Sequence, residues 1–482
     1  MAHRYGQFNC LLKWLVTYTL LVITNTSSAT DTKEDEAPSF YGNRTIAIEI
    51  TQPTKQDIQF QRRSIAPAIT GDDTNRSLSP NTEFHHPHII VPVKADTVKN
   101  TLDLNRNEML LAKKAFYYFE RNWQETTGLV DSVQGYPHTT MWDIASVLAA
   151  TISAEGLGII ALDQSHQRIE LLLETLATLP LYDNRLPNRE YNTRTAQPSG
   201  RYSTSPSKGN GWSALDIGRL LLWLDITRRY HPEHQKKIEH IKKRWALDAS
   251  IKDTNLYGEL KTGSTVKYRQ EGRLGYLQYA ATGFKLSGFD VSNAFDKGDT
   301  LTVNVDGIDL LADNRNLPYF TSDPYVLYAI EIGQNNAWWD QLDPLFTLQK
   351  QKSNKEQSLW IFAEDALNRA PWFSYNNIFI YGKSWLSTAP GGKTIENPQI
   401  FSNKVGFGFS VLFPDDPFSQ ILSEAVISHS LAHRSIPTGI YQNGGPNTAY
   451  NINTNSLILA ALWYKHRHYR PLIEQGTVSA RP

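Results

Sequence analysis

Cysteine is nearly missing: the 482 residues contain one, Cys10. A single thiol near the start leaves the rest of the chain with neither a disulfide nor a thiolate metal site. Cys10 also lacks the preceding residues of a lipoprotein signal. Charge of one sign is missing too, since 48 Lys and Arg balance 48 Asp and Glu. That balance argues against an electrostatic nucleic-acid or membrane-surface role. Long apolar runs are absent after the first thirty residues. The early run Trp14–Ile23 falls short of the about 20 residues that cross a bilayer. It follows His3, Arg4 and Lys13 and precedes Asn25-Thr26-Ser27-Ser28-Ala29, the layout of a cleavable secretory signal over 1–29. No membrane span is expected after its removal, and the mature chain is expected in the periplasm or outside the cell.

Signature spacings are also lacking. No His-Glu-x-x-His, Gly-x-Ser-x-Gly or phosphate-binding glycine loop occurs. The histidines fall in His-Pro turns, as at His86-Pro87 and His231-Pro232, or in the tail His466-Arg467-His468. No metal or cofactor is therefore expected.

Aromatic residues are abundant, with 12 Trp and 23 Tyr. Such rings either fill a core or stack on the apolar faces of sugars. Residues 30–104 read as a linker or small extension, with strand candidates at 45–50 and 88–93. From Glu108 onward amphipathic segments recur, and helices are expected near 108–121, 142–158, 165–178, 213–230, 234–248, 271–287, 323–333, 337–351, 415–430 and 453–468. Residues 144–157 and 214–224 are apolar on nearly every side, whereas 110–123 and 232–247 are one-sided. Helices apolar all round are buried all round. The alternation predicts an all-α fold over 105–475, a toroid of helical hairpins whose inner ring closes around a cleft. An irregular bundle or solenoid is the competing architecture.

Acids recur at the starts of the expected inner helices: Asp143 after Trp142, Asp216 after Trp212, Glu271 ahead of Arg273 and Tyr276, and Asp323 ahead of Tyr325. Each alone is ordinary helix-terminus chemistry, worth about 0.3–1 kcal/mol. If all inner helices start at one rim, these acids and aromatics converge on one cleft. Paired carboxylates there suit glycosidic cleavage, one held protonated and one ionised. Glu364 and Asp365 form a further candidate pair, with Arg369 and Trp372 nearby. Asn447, in the turn before the last helix, and Asn453 at its start either line a sugar subsite or cap that helix.

The segments Thr127–Ser132, Thr140–Ser146, Trp212–Leu221, Glu271–Tyr276, Ser322–Tyr325, Glu364–Leu367 and Asn453–Asn455 resemble, in order, the bacterial domain of unknown function 3131. That family is related to six-hairpin glycosidases, the glucoamylases and glycoamylase-like glucanases. The resemblance implies a helical toroid with a glycan-binding cleft over 108–470. It implies no catalytic pair, and Asp323 departs from the Glu expected at its position.

The leading functional expectation is a glycoside hydrolase on a bacterial periplasmic or extracellular polysaccharide. Glu271 is the expected acid and Asp143 its partner, with Glu364 and Asp365 as further catalytic candidates. Trp142, Asp131, Trp212, Asp216, Arg273, Tyr276, Asp323, Tyr325, Trp372, Asn447 and Asn453 are the expected substrate-binding residues. The alternatives are a non-catalytic glycan-binding component of exopolysaccharide machinery, and a polysaccharide lyase.

Overall fold

The computed structural model describes residues 102–474, apart from 201, 297, 299, 315–318, 334–339, 381 and 391. The expected signal, most of the 30–104 extension and both strand candidates in it lie outside the described residues. No described helix is long and apolar enough to cross a membrane.

Six helices are buried almost throughout: α2 (Met141–Gly156), α4 (Ala214–Tyr230), α6 (Tyr276–Leu286), α7 (Asp323–Glu331), α9 (Asn403–Leu412) and α11 (Ile452–His466). Every residue of α2 from Met141 to Ala154 is buried, as is every residue of α4 from Ala214 to Thr227. Each packs on the next in the order α2, α4, α6, α7, α9, α11, and α11 returns to α2. A closed ring presses every helix from all sides, which is why these helices are apolar over most of their circumference.

Outside lie α1 (Arg106–Arg121), α3 (Leu162–Thr178), α5 (Gln235–Arg244), α8 (Leu342–Glu356) and α10 (Pro417–Leu431). These are one-sided: α1 buries Leu111, Ala112, Ala115, Phe116 and Phe119, a helical stripe. Among the described residues, five outer helices accompany six inner ones. Before α7 the outer position is taken by the antiparallel hairpin β9 (Thr300–Val305) and β10 (Ile308–Asp313). Asp313 at its end accepts from the Leu274 amide at 3.0 Å and so fixes the turn leading into α6.

The toroid of helical hairpins is present, but the expectation of an all-α chain needs correction. The loops of the ring fold into short antiparallel strands. β5 (Gly211–Trp212) pairs with β7 (Asn255–Thr262), which also pairs with β8 (Thr265–Gln270). β12 (Asp365–Ala366) and β14 (Lys383–Thr388) both pair with β13 (Phe373–Ile380). β15 (Gln399–Ser402) pairs with β16 (Gly439–Tyr441). A ring closes only if long connections return to its mouth, and strand pairing satisfies their backbone groups there.

Two helix boundaries also differ from expectation. α6 starts at Tyr276 because residues 271–275 form an irregular stretch ending in a turn, with Gly272 and Gly275 at φ 86° and 99°. α9 escaped the periodicity altogether. Its sequence Asn403–Leu412 holds Gly406 and Gly408, weak helix formers. A Cβ on Gly408 would sit 2.4 Å from the Val326 side chain, so this glycine permits the close approach of α9 to α7.

Candidate active site

The inner helices all begin at one rim. α2 starts with Thr140, whose side chain accepts from the Asp143 amide at 3.2 Å. Asp143 answers through Oδ2, accepting from the Thr140 amide and hydroxyl at 3.1 and 3.0 Å. Its Oδ1 accepts from Asn453 Nδ2 of α11 at 3.1 Å. Asp143 thus closes a capping box and ties α2 to α11, and it is fully buried.

The floor is polar and lies on the axis. Arg219 of α4 stacks 4.5 Å above the Trp142 ring. Its guanidinium is 3.6 Å from Glu331 of α7 and donates to Asn453 Oδ1 at 3.4 Å. Tyr279 donates its hydroxyl to Glu331. Burial pushes the Glu331 carboxyl up, with Arg219 opposing. Trp142 meets Tyr276 edge-on at 5.6 Å, and these two rings line a small cavity with Leu215 and Asp216.

Above this floor stands Glu190, a residue with no signal in the sequence. It belongs to a loop fixed at several points. Asn188 Nδ2 and the Ser199 amide donate to its carbonyl at 2.9 and 3.0 Å. The next residues form β4 (Tyr191–Asn192), paired with β1 (His138–Thr139). Asp131 holds the same loop, its Oδ1 accepting from Thr193 Oγ1 at 2.5 Å and Gln124 Nε2 at 3.2 Å. The Glu190 side chain is half-buried. Burial first, and then the carboxylates of Asp143 and Asp216, lift its pKa to about 7 against the pull of Arg189.

Arg189 points elsewhere. Its Nη2 lies 2.8 Å from Oε1 of Glu271, and the Ala214 amide donates to the other oxygen of Glu271 at 2.6 Å. Glu271 is fully buried. A Cβ on Gly258 would lie 2.1 Å from this carboxyl, so the glycine makes room for it. An arginine and the start of α4 thus flank the residue expected from the sequence as proton donor.

A second carboxylate cluster lies beside the first. Lys404 of α9 is 2.6 Å from Asp323 and 3.2 Å from Asp365, and donates to the Glu364 carbonyl at 2.6 Å. Gln399 Nε2 donates to Asp365 at 2.6 Å, and the Glu364 amide to Asp323 at 2.9 Å. Burial raises the Asp365 pKa to about 6, Lys404 opposing and Asp323 adding to it. The Glu364 carboxylate accepts from the Tyr276 hydroxyl at 3.0 Å, which links this cluster to the cavity.

Several sequence candidates stand away from the cavity. Trp212 is fully buried between Tyr182 and Tyr268 and donates its indole N–H to the Tyr257 carbonyl. Tyr325 is buried against Phe320, and its hydroxyl accepts from Gln341. Arg273 is buried and donates to Gln270 and to the Gly272 carbonyl. Asn447 stitches loops, donating to the Ala366 carbonyl at 2.8 Å and accepting from the Asn368 amide at 3.1 Å. These four are held in core and scaffold contacts. Trp372 is exposed, in a turn where its φ is 69°. Trp142, Asp143, Asp216, Tyr276, Glu364 and Asn453 do come together.

A model of the family described as "Protein of unknown function (DUF3131)" matches residues 110–468. No curated protein matches the chain by sequence. Solved structures share its fold at low identity. A candidate glucoamylase from Bacteroides caccae superposes with a TM-score of 0.53 at 10% identity, covering 76% of this chain and 96% of its own. An endo-β-1,2-glucanase from Chitinophaga pinensis, solved with sophorotriose and glucose, gives 0.51 at 10% identity, covering 76% of this chain and 95% of its own. The endo-β-1,2-glucanase of Talaromyces funiculosus, solved with sophorose, gives 0.51 at 13% identity, covering 76% and 84%.

Proposed function

The chain belongs to the DUF3131 family, and we propose from that premise that it is a glycoside hydrolase acting on a polysaccharide, with Glu190 as general acid. One observation carries the reading: Glu190 is open to solvent on one side, yet its pKa stands at about 7 among the carboxylates of Asp143 and Asp216. A carboxyl protonated near neutral pH can deliver its proton to a leaving glycosidic oxygen. Asp216 is the partner carboxylate. It shares a cavity with Trp142 and Tyr276, whose rings suit the apolar face of a sugar. As base it would activate water, and as nucleophile it would attack the anomeric carbon; the separation of the two carboxyls across a bound sugar selects between these courses. Asp143 has both oxygens bound in the capping box and to Asn453, so its charge acts on Glu190 without meeting substrate.

The fold relatives that cleave β-1,2-glucan make that polymer the first substrate to try. The reading places the protein where polysaccharides are remodelled, in the periplasm or outside the cell, in keeping with the signal-like start of the sequence. The purified chain is incubated with β-1,2-glucan, starch and bacterial exopolysaccharides, and reducing ends are counted for the parent, Glu190→Gln and Asp216→Asn. Release by the parent that collapses in both variants is the expected result. Release undiminished in Glu190→Gln sinks the assignment. Tight oligosaccharide binding with no release on any polymer replaces it with a glycan-binding role.

A further inference from the structure

The opposite ends of the inner helices hold a different chemistry. α2 ends at Gly156 and α4 at Tyr230, about 24 Å from the carboxylate rim along a helix of 16 residues. There the turn His231-Pro232-Glu233-His234, a short 3-10 helix, meets the first turns of α3. The Nδ1 or Nε2 atoms of His166 and His234 and a carboxylate oxygen of Glu233 all lie within 4.8 Å of one another. The His166 and His234 rings stack with centroids 4.7 Å apart.

His234 is the informative member. It is 3% exposed, and its Nε2 is buried without a hydrogen-bond partner. Its other nitrogen, Nδ1, sits 3.0 Å from Oε2 of Glu170. With the proton on Nδ1 facing that carboxylate, Nε2 carries the lone pair and is left for a ligand. This is how metal-binding imidazoles are oriented by an outer carboxylate. Glu233 and His166 are about half exposed, at 45% and 46%, so both side chains are free to close on an ion.

We propose that His166, Glu233 and His234 form a binding site for a divalent transition-metal ion of the zinc class, clamping the turn after α4 to α3. Two imidazoles and one carboxylate, with water in the fourth position, match the ligand preference of such an ion. Mg²⁺ and Ca²⁺ prefer all-oxygen shells and are poorly served. The exposed C-terminal ends of α2 and α4 add negative potential beside the site. His231 completes the support, its Nδ1 3.3 Å from Glu233 and its Nε2 3.0 Å from Glu155.

The full chain is stripped with a chelator, dialysed, and titrated with Zn²⁺ alone by calorimetry, alongside thermal unfolding with and without Zn²⁺. Uptake of one equivalent with a raised unfolding temperature is expected, with affinity falling about tenfold or more in His166→Ala and in Glu233→Gln. Both replaced side chains are half exposed, so these variants fold. A control, His433→Ala, lies outside the cluster and keeps the parent's affinity. No saturable uptake by the parent, equal stabilisation by Mg²⁺, or unchanged affinity in both variants would overturn the site.

Discussion

Two carboxylate clusters occupy the same rim, and they differ in one cation. Around Asp323 and Asp365 the ammonium of Lys404 lies within 3.2 Å of both acids. Around Glu190 the neighbouring arginine is committed to Glu271 at 2.8 Å, and the closest acidic influences are Asp143 and Asp216. Acidic residues from loops and helix starts are shared; the way a cation meets them is not. The first cluster is a brace in which opposite charges share burial. The second holds a carboxyl at about 7 with solvent on one side, the condition for proton donation.

The largest expected effect comes from removing the titrating group of the second cluster. Glu190→Gln should lower kcat by about 10²–10⁴ on a cleavable glucan. The same change should help folding at alkaline pH. The folded pKa of Glu190 lies above its ordinary 4.5, so its contribution to stability is complete below that pH and is lost as pH rises through about 7. Unfolding temperatures of parent and variant should therefore be closer at pH 5 than at pH 8, where the variant is the more stable. An equal gap at both pH values breaks the comparison.

Next in size is the brace. Lys404→Met leaves Asp323 and Asp365 facing each other without a cation and should destabilise folding by about 3–5 kcal/mol, read by urea denaturation. A loss under 1 kcal/mol would place the two clusters in one class. A finer test separates the charge of Asp143 from direct chemistry. Asp143→Asn should retain activity while moving the alkaline limb of kcat/KM to lower pH, because one carboxylate holding the Glu190 pKa up is gone. Abolished activity in a folded Asp143→Asn variant would restore it as a reacting group. The smallest effect is expected away from both clusters. Trp372→Gly relieves a left-handed backbone at φ 69° and should shift stability by no more than about 1 kcal/mol.

The candidate site was half legible. Asp143, Asp216, Trp142 and Tyr276 follow recognisable helix starts, and α2 and α4 are apolar on every side, so their convergence could be read in advance. Glu190 could not be. It follows Arg189 in a polar loop between two-residue strands, and an adjacent Arg-Glu pair reads as self-neutralising. In space Arg189 turns away, to a glutamate 82 residues later. The arginine paired with Glu271 likewise lies far off in sequence. α9 was lost because Gly408, close to Val326, and Gly406, close to Phe401, look like loop residues. The histidine cluster was hidden by a different separation, His166 standing 67 residues before Glu233.

What the sequence by itself determined is where most of the buried helices run, because apolar periodicity and capping are local and survive in any fold that buries them. Only the tertiary structure decided which cation meets which acid and which histidine nitrogen is left unpaired. Those properties depend on charge and donor atoms within a few ångströms, and the ring brings such atoms together from loops that are strangers in sequence.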